Sequence, residues 1–302
     1  MAGPVRTSLV PPRLASLAAQ IAQLERSSRS LVFAHRGSEL YRGWGPPERP
    51  FVVSVQPSEG RWEVCAWGCD GPEAARSAVR EMFSLDDPLE EFYRSTRVEP
   101  VLRGTERTFR GLRLPRDASV HEALVHAIVG QQLSVASANA LKRRLVQRYG
   151  RTLDVGGIRI PLLPTPEALT SAGVDGLRQI GLSRGKAVAL LGIASYRPSL
   201  VEAVRLKGDP LETVVAELER LPGVRRWTAE NALLRGTGRR DVFVAGDLGI
   251  RVALARYGAV PRAAREARAR SWADRNYPGW GSYATLYLWR SLVASYGGAA
   301  GG

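Results

Sequence analysis

Hydrophobic positions change period about a third of the way along the chain. Phe51-Val-Val-Ser-Val55 and Arg61-Trp-Glu-Val-Cys-Ala-Trp67 are short β-favouring runs, bounded by the turn-rich stretches Gly43-Trp-Gly-Pro-Pro47 and Pro57-Ser-Glu-Gly60. They predict a small antiparallel sheet. Upstream, Leu14, Leu17, Ile21 and Leu24 recur at helical spacing and predict an amphipathic helix docked on the body. Residues 1 to 24 also lack acids and carry Arg6 and Arg13, as a transit peptide would, but the periodicity favours the helix. Pro72 to Phe83 reads as a further helix with proline in its first turn. Leu85-Asp-Asp-Pro-Leu-Glu90 begins another, with Asp87 as N-cap, Pro88 at N1 and Glu90 at N3.

From about residue 111 the pattern is helical almost throughout. Ser119-Val-His-Glu122 has capping-box spacing before a helix that ends near Gly130, and Ser134 to Tyr149 forms a second helix stopped by Gly150. Lys142, Arg143, Arg144 and Arg148 fall on the exposed face of that second helix. Thr165-Pro-Glu starts a third, and Ser183 to Ala194 forms a fourth. Asp209-Pro-Leu-Glu212 caps a fifth, whose apolar positions run from Leu211 to Leu221. The expected class is α+β and mainly α. An N-terminal α/β domain built on a small antiparallel sheet, preceded by a helical extension, covers residues 1–110, and an all-α domain covers 111–302.

Composition narrows the partner. The net charge is +14, and lysine occurs only at 142, 186 and 207, so the positive charge is almost all arginine. Arginine presents a planar fork suited to phosphate, and a surplus this large points to nucleic acid or an anionic membrane surface. No apolar run approaches the ~20 residues needed to cross a bilayer. Cys65 and Cys69 give neither a disulfide framework nor a zinc site, which fits a reduced, cytoplasmic compartment. His35, His121 and His126 read as structural or surface residues.

The most informative stretch is Leu221-Pro-Gly-Val-Arg-Arg-Trp-Thr-Ala229, a glycine-containing turn between two amphipathic helices. Free N–H groups at the start of the second helix suit a phosphate oxygen. Between Arg220 and Arg251 seven arginines face three acids, as a DNA-facing surface would require. About twenty residues past the turn, Asp241-Val-Phe-Val-Ala-Gly-Asp-Leu-Gly-Ile-Arg251 places Asp247 at the mouth of another helix. On spacing alone it is first of all an N-cap. A carboxylate fixed there could also stabilise the oxocarbenium-like charge of a sugar losing its base.

Ala123-Leu-Val-His-Ala-Ile-Val-Gly-Gln-Gln-Leu-Ser-Val135, Gly181-Leu-Ser-Arg-Gly-Lys-Ala187, the hairpin, the Asp247 segment and Trp280-Gly-Ser-Tyr-Ala284 leading to Trp289 together resemble one family. It is the helix-hairpin-helix DNA glycosylases, in their alkylpurine (3-methyladenine) DNA glycosylase II branch. The resemblance implies two helical lobes with an active-site cleft between them, Asp247 as the catalytic aspartate, and Trp227, Trp289 and Asn231 against the substrate base. Stacked indoles would attract a cationic alkylated purine. It further implies a DNA-binding set of Leu221, Gly223, Val224, Arg225, Arg226 and Thr228 at the hairpin, with Gln132 and Leu133 at the gap left by a flipped base. No cofactor is implied and no dedicated metal site, although hairpin carbonyls in the family can hold an alkali cation. Bifunctional members carry a nucleophilic lysine where this chain has Trp227, so the reaction should stop at the abasic site.

Three positions depart from the family pattern. Arg225 replaces the second hairpin glycine, and Asn231 and Ala245 occupy positions that bear on substrate range. If Arg225 needs positive φ it is strained; if not, it can add a phosphate contact. The expected activity is monofunctional removal of damaged, alkylated purines from double-stranded DNA by a monomeric, cytoplasmic, nucleoid-associated protein without membrane attachment. The alternatives are a glycosylase for hypoxanthine or an oxidised purine, and a non-catalytic lesion-binding protein.

Overall fold

The computed structural model describes residues 3–25, 31–196, 206–261 and 265–297. The expected sheet is present and wider than its two clearest runs. Strands β1 (Val5–Leu9), β2 (Phe33–Arg36), β3 (Glu39–Trp44), β4 (Phe51–Ser58) and β5 (Arg61–Trp67) lie in the order β1-β5-β4-β3-β2, each neighbouring pair antiparallel. Along β5 Trp62, Val64 and Ala66 are buried and the residues between them are not, the two-residue period of a half-buried strand. They pack with α1 (Leu17–Glu25) and α2 (Pro72–Met82) in one apolar cluster that includes Leu17, Leu24, Ala75, Ala78, Val79 and Met82.

The expected N-terminal helix is present from Leu17 and docks through Leu17, Ile21 and Leu24, and an unexpected strand precedes it. Val5–Leu9 is an edge strand, because its backbone pairs along β5 from Val5 opposite Ala66 to Leu9 opposite Trp62. Only Leu17 onwards is helical. The helix expected to begin at Asp87 begins later, as α3 (Leu89–Val98), with Pro88 at the cap and no side-chain cap bond. Asp87 accepts the Tyr283 hydroxyl at 2.6 Å instead. α4 (Pro100–Thr108) follows, capped by the Glu99 side chain.

In the helical region Ser119 caps α5 (Val120–Gly130) and Ser134 caps α6 (Val135–Tyr149) through their side-chain oxygens. Lys142 is not on the solvent face of α6, since it is only 1% exposed, whereas Arg143, Arg144 and Arg148 are exposed. Gly150 ends α6 in extended geometry, and its need for glycine is spatial: a Cβ there would lie 2.5 Å from the Leu162 carbonyl oxygen. That carbonyl belongs to an unexpected hairpin, β6 (Arg151–Val155) and β7 (Ile158–Leu162), turned by Gly156 and Gly157 at φ 57° and 78°. Val155 and Ile160 of the hairpin pack against Tyr41 and Val52 of the large sheet.

The remaining helices are α7 (Pro166–Gln179), α8 (Arg184–Ala194), α9 (Leu211–Leu218), α10 (Arg226–Ala232), α11 (Leu248–Arg256), α12 (Glu266–Asn276) and α13 (Gly281–Gly297). α7 and α8 begin where expected and are capped by Thr165 and Ser183; α9 is preceded by Pro210 rather than capped by Asp209. α10 runs straight into a π-helical turn, Leu233–Thr237. α13 is fixed by an aromatic cluster around Phe92 of α3, whose ring lies 5.1–5.9 Å from those of Tyr277, Trp280, Tyr283 and Tyr287.

Arg42 joins the sheet to the helices. It leaves β3, is 1% exposed, and places Nη2 2.5 Å from Glu122 Oε1 on α5 and 3.7 Å from Asp117 Oδ1. Arg42→Met would strip the guanidinium from two carboxylates held out of water. It should lower unfolding free energy by about 3–5 kcal/mol, read from urea denaturation.

Candidate active site

Asp247 closes the loop Asp241 to Gly246, in which Val242, Phe243, Val244 and Ala245 are buried and Val244 N–H donates to Thr285 Oγ1 of α13 at 3.2 Å. Buried anchor residues fix where the loop delivers its last side chain. Asp247 is the N-cap of α11, and Oδ1 accepts the Ile250 N–H at 3.1 Å. The same oxygen accepts Trp289 Nε1–H at 3.1 Å, and Oδ2 accepts Trp227 Nε1–H at 3.1 Å. One carboxylate thus receives donors from α10, α11 and α13. Gly249 permits the approach, since a Cβ there would sit 3.1 Å from Asp247 Oδ1 and 3.8 Å from Trp289 Cδ1.

The two tryptophans are half-buried. Their N–H edges are directed at the carboxylate, and the Arg235 guanidinium lies 5.5 Å from the Trp289 ring centre. Arg235 belongs to the π-helical turn, is 4% exposed, and donates to the Pro115 carbonyl at 2.9 Å. π-turns often occur at functional sites. Asn231, expected against the substrate, is 7% exposed and gives its amide N–H to the Trp227 carbonyl at 2.8 Å. Its side chain steadies Trp227 one helical turn away instead of facing an open site.

The hairpin between α9 and α10 turns at Gly223, φ +72°, where a Cβ would lie 2.5 Å from Ala189 Cβ of α8. Arg225 adopts φ −117°, ψ 170° as the cap of α10, so replacing a glycine there carries no left-handed strain. The first helical bonds run from Thr228 and Ala229 N–H to the Arg225 carbonyl. The amides of Arg226 and Trp227 precede them at the helix mouth.

The expected DNA-binding residues divide by exposure. Gln132, Leu133, Gly223 and Arg225 are exposed, Leu221 and Arg226 are half-buried, and Val224 and Thr228 are 1% exposed. Val224 packs in the core, and Thr228 Oγ1 accepts the Gln131 amide at 2.8 Å, so neither side chain presents itself to a duplex. Arg226 is held by Glu212 at 2.5 and 2.8 Å and by Glu230 at 2.9 Å. Gln132 has φ +55°, a strained conformation for a non-glycine residue, at the tip between α5 and α6.

The arginine excess between 220 and 251 is largely structural. Arg235 and Arg239 are buried, with Arg239 bound to Asp241 and to the carbonyls of Leu206, Lys207 and Asp209. Sequence reasoning also passed over Gln131. Its amide donates to the Gly223 carbonyl at 3.0 Å and ties the α5–α6 turn to the hairpin. Lys186 braces the same turn by donating to the carbonyls of Val129 at 2.9 Å and Gln131 at 2.7 Å. The repeated polar pair Gln131-Gln132 was the available signal. The hairpin carbonyls of Leu221 and Gly223 accept the N–H groups of Val224 and Gln131.

Family comparison agrees with this geometry. The model described as HhH-GPD superfamily base excision DNA repair protein matches residues 125–274, which include the hairpin, Trp227 and Asp247. Over those residues the chain is similar to this superfamily. It is 36% identical over 179 residues to DNA-3-methyladenine glycosylase 2 of Escherichia coli (strain K12), a match covering 59% of this chain and 60% of that protein. It is 32% identical over 220 residues to a probable bifunctional transcriptional activator/DNA repair enzyme AlkA of Mycobacterium tuberculosis (strain CDC 1551 / Oshkosh), covering 72% of this chain and 42% of that protein. The matches thus span less than two thirds of either relative. Among solved structures, a 3-methyladenine DNA-glycosylase from Archaeoglobus fulgidus superposes with a TM-score of 0.79 at 28% identity, covering 94% of this chain and 97% of that one. The expected α+β helix-hairpin-helix class is therefore correct.

Gly223→Ala should destabilise the protein through both the positive φ and the contact with Ala189. The left-handed conformation alone contributes about 1–2 kcal/mol, read as a lower urea midpoint at unchanged slope.

Proposed function

We propose that this protein hydrolyses the N-glycosidic bond of alkylated purines in duplex DNA and leaves an abasic site. The observation that carries the reading is the Asp247 carboxylate held by two indole N–H groups and a helix N-terminus. As the bond to a flipped nucleotide breaks, positive charge develops on the sugar, and a fixed anion stabilises it without reorganising at that moment. Hydrogen bonds to a charged acceptor contribute about 1.5–3 kcal/mol each, enough to hold one carboxylate orientation. An alkylated purine carries the positive charge that the face of an indole attracts. The names of the E. coli and A. fulgidus proteins support 3-methyladenine as a substrate.

The duplex would be gripped at the Gly223–Arg225 hairpin, with Gln132 and Leu133 filling the space left by the extruded base. All of these residues come from one chain, so the reaction needs no second copy. Among the described residues no helix is long and apolar enough to cross a membrane. The substitution Asp247→Asn keeps the cap geometry and removes the charge. Free-base release from a duplex carrying 7-methylguanine should fall by roughly 100-fold or more, and undiminished release would refute the role of Asp247.

Release without strand cleavage follows from the nucleophiles at hand. Trp227 has no amine, Lys142 is buried, Lys186 is committed to two backbone carbonyls, and Lys207 lies before α9, outside the hairpin and the Asp247 loop. Incubation with the damaged duplex and borohydride should therefore give no covalent enzyme–DNA adduct. A trapped adduct on gel electrophoresis would overturn the monofunctional reading.

A further inference from the structure

Behind the site lies a charged cluster that no role above uses. Arg270 of α12 places Nη2 2.8 Å from Glu230 Oε1 and 2.9 Å from Glu266 Oε1, while Nη1 donates to the Phe243 carbonyl at 3.2 Å. Glu230 lies three residues after Trp227 on α10, and Phe243 lies four before Asp247 on the loop. Glu266 approaches the same loop, with Oε2 3.2 Å from where a Gly246 Cβ would stand. One guanidinium therefore touches both the helix that carries Trp227 and the loop that carries Asp247. A planar fork with several fixed N–H directions can do this; an ammonium cannot reproduce it.

The cluster continues to the hairpin. Arg226, beside the proposed phosphate grip, shares Glu230 Oε1 at 2.9 Å and is clamped on its other side by Glu212 of α9. Glu230 itself has no exposed surface. Two arginines bond one of its oxygens, and the other, Oε2, is buried without a protein partner. A carboxylate so placed is stable as an anion only while both guanidinium groups face it.

We propose that Arg270, acting through Glu230 and the Phe243 carbonyl, is a positioning residue that holds Trp227 and Asp247 at their hydrogen-bonded separation. The inference rests on the glycosylase reading above. It has a consequence in pH. Burial is the largest influence on the Glu230 carboxyl and raises its pKa to about 7 against the opposing pull of Arg270 and Arg226. The charges facing it are Arg226 from its own helix and Arg270, with Glu266, from α12; Glu212 lies behind Arg226. Above pH 7 Glu230 is ionised and the clamp is complete. As pH falls through 7 it takes up a proton, Oε2 being the open oxygen, and the clamp loosens.

The test is single-turnover release of 7-methylguanine from a duplex at saturating enzyme, from pH 5.5 to 8.5, with affinity for undamaged duplex measured in parallel. Arg270→Met should slow release about ten- to a hundred-fold while leaving duplex affinity within about twofold, because it misplaces the reacting groups and not the grip. Arg270→Lys should restore only part of the rate. The unmodified protein should lose rate as pH falls through 7, and Glu230→Gln should hold the low-pH rate across the range with no inflection.

Unchanged release by Arg270→Met, or rate and affinity falling together, would overturn the positioning role. Should Arg270→Met fail to fold, the Glu230→Gln profile decides: an inflection like that of the unmodified protein refutes the clamp. If the unmodified protein releases no base, the glycosylase reading fails and the inference falls with it. If it releases base and both variants match it, only the inference fails.

Discussion

A carboxylate that must face a developing cation has two conflicting requirements: it has to keep its charge, and it has to be held still. Neutral donors meet both, because an N–H group orients the anion without cancelling it. In this chain the donors are two indoles and a helix N-terminus, delivered by α10, α13 and α11 to Asp247. Trp227 and Trp289 are 62 residues apart, so the arrangement exists only when the helices carrying them are correctly packed. The rest of the helical fold can be understood as the means of holding those helices in register.

For α13 the holding is aromatic. Phe92 sits among Tyr277, Trp280, Tyr283 and Tyr287, and the tyrosine hydroxyls finish in specific bonds: Tyr277 to Glu99 at 2.7 Å, Tyr283 to Asp87 at 2.6 Å, Tyr287 to the Phe109 carbonyl at 3.0 Å. Apolar area supplies the attraction and the hydroxyls select one rotation of the helix. For α10 the holding is tighter still. Gly236 in its π-turn lies so close to α5 that a Cβ would stand 2.8 Å from Val120 Cα. α5 is in turn tied to the sheet through Glu122 and Arg42. The sheet is distant from Asp247 in sequence yet linked to α10 through this chain of contacts.

What the sequence reveals follows from how local each determinant is. Ser119 was readable as a cap, and Ser134, Thr165 and Ser183 as helix starts, because a cap involves only residues three positions apart, and all four bond as caps. Asp87 looked identical, but a hydroxyl 196 residues away outcompeted the local N–H groups for its carboxylate. The β6–β7 hairpin was missed although Gly156-Gly157 between two β-favouring runs is a turn signal, because Pro161 and the surrounding helical periodicity masked it. At the site, Asp247, Trp227 and Trp289 were legible as candidates from motif order. Their mutual hydrogen bonds were not, since nothing in the spacing says which edge of an indole faces which oxygen.

Charge was the least transferable reading. An arginine-rich segment suggests a phosphate-binding face, but a guanidinium has five donors and is equally able to serve buried carbonyls and carboxylates. Arg239 binds three carbonyls and a carboxylate, Arg235 stacks on Trp289, and Arg226 and Arg270 share Glu230. In that segment net charge measures how much polar scaffolding surrounds the site more than how strongly its surface attracts DNA. The exposed remainder is small: Arg220 and Arg225, close to the backbone turn at Gly223. The proposed grip therefore depends on a few correctly placed groups, with the backbone supplying direction. This is consistent with an interior in which arginines fix the loop and helices that present the hairpin and Asp247 side by side.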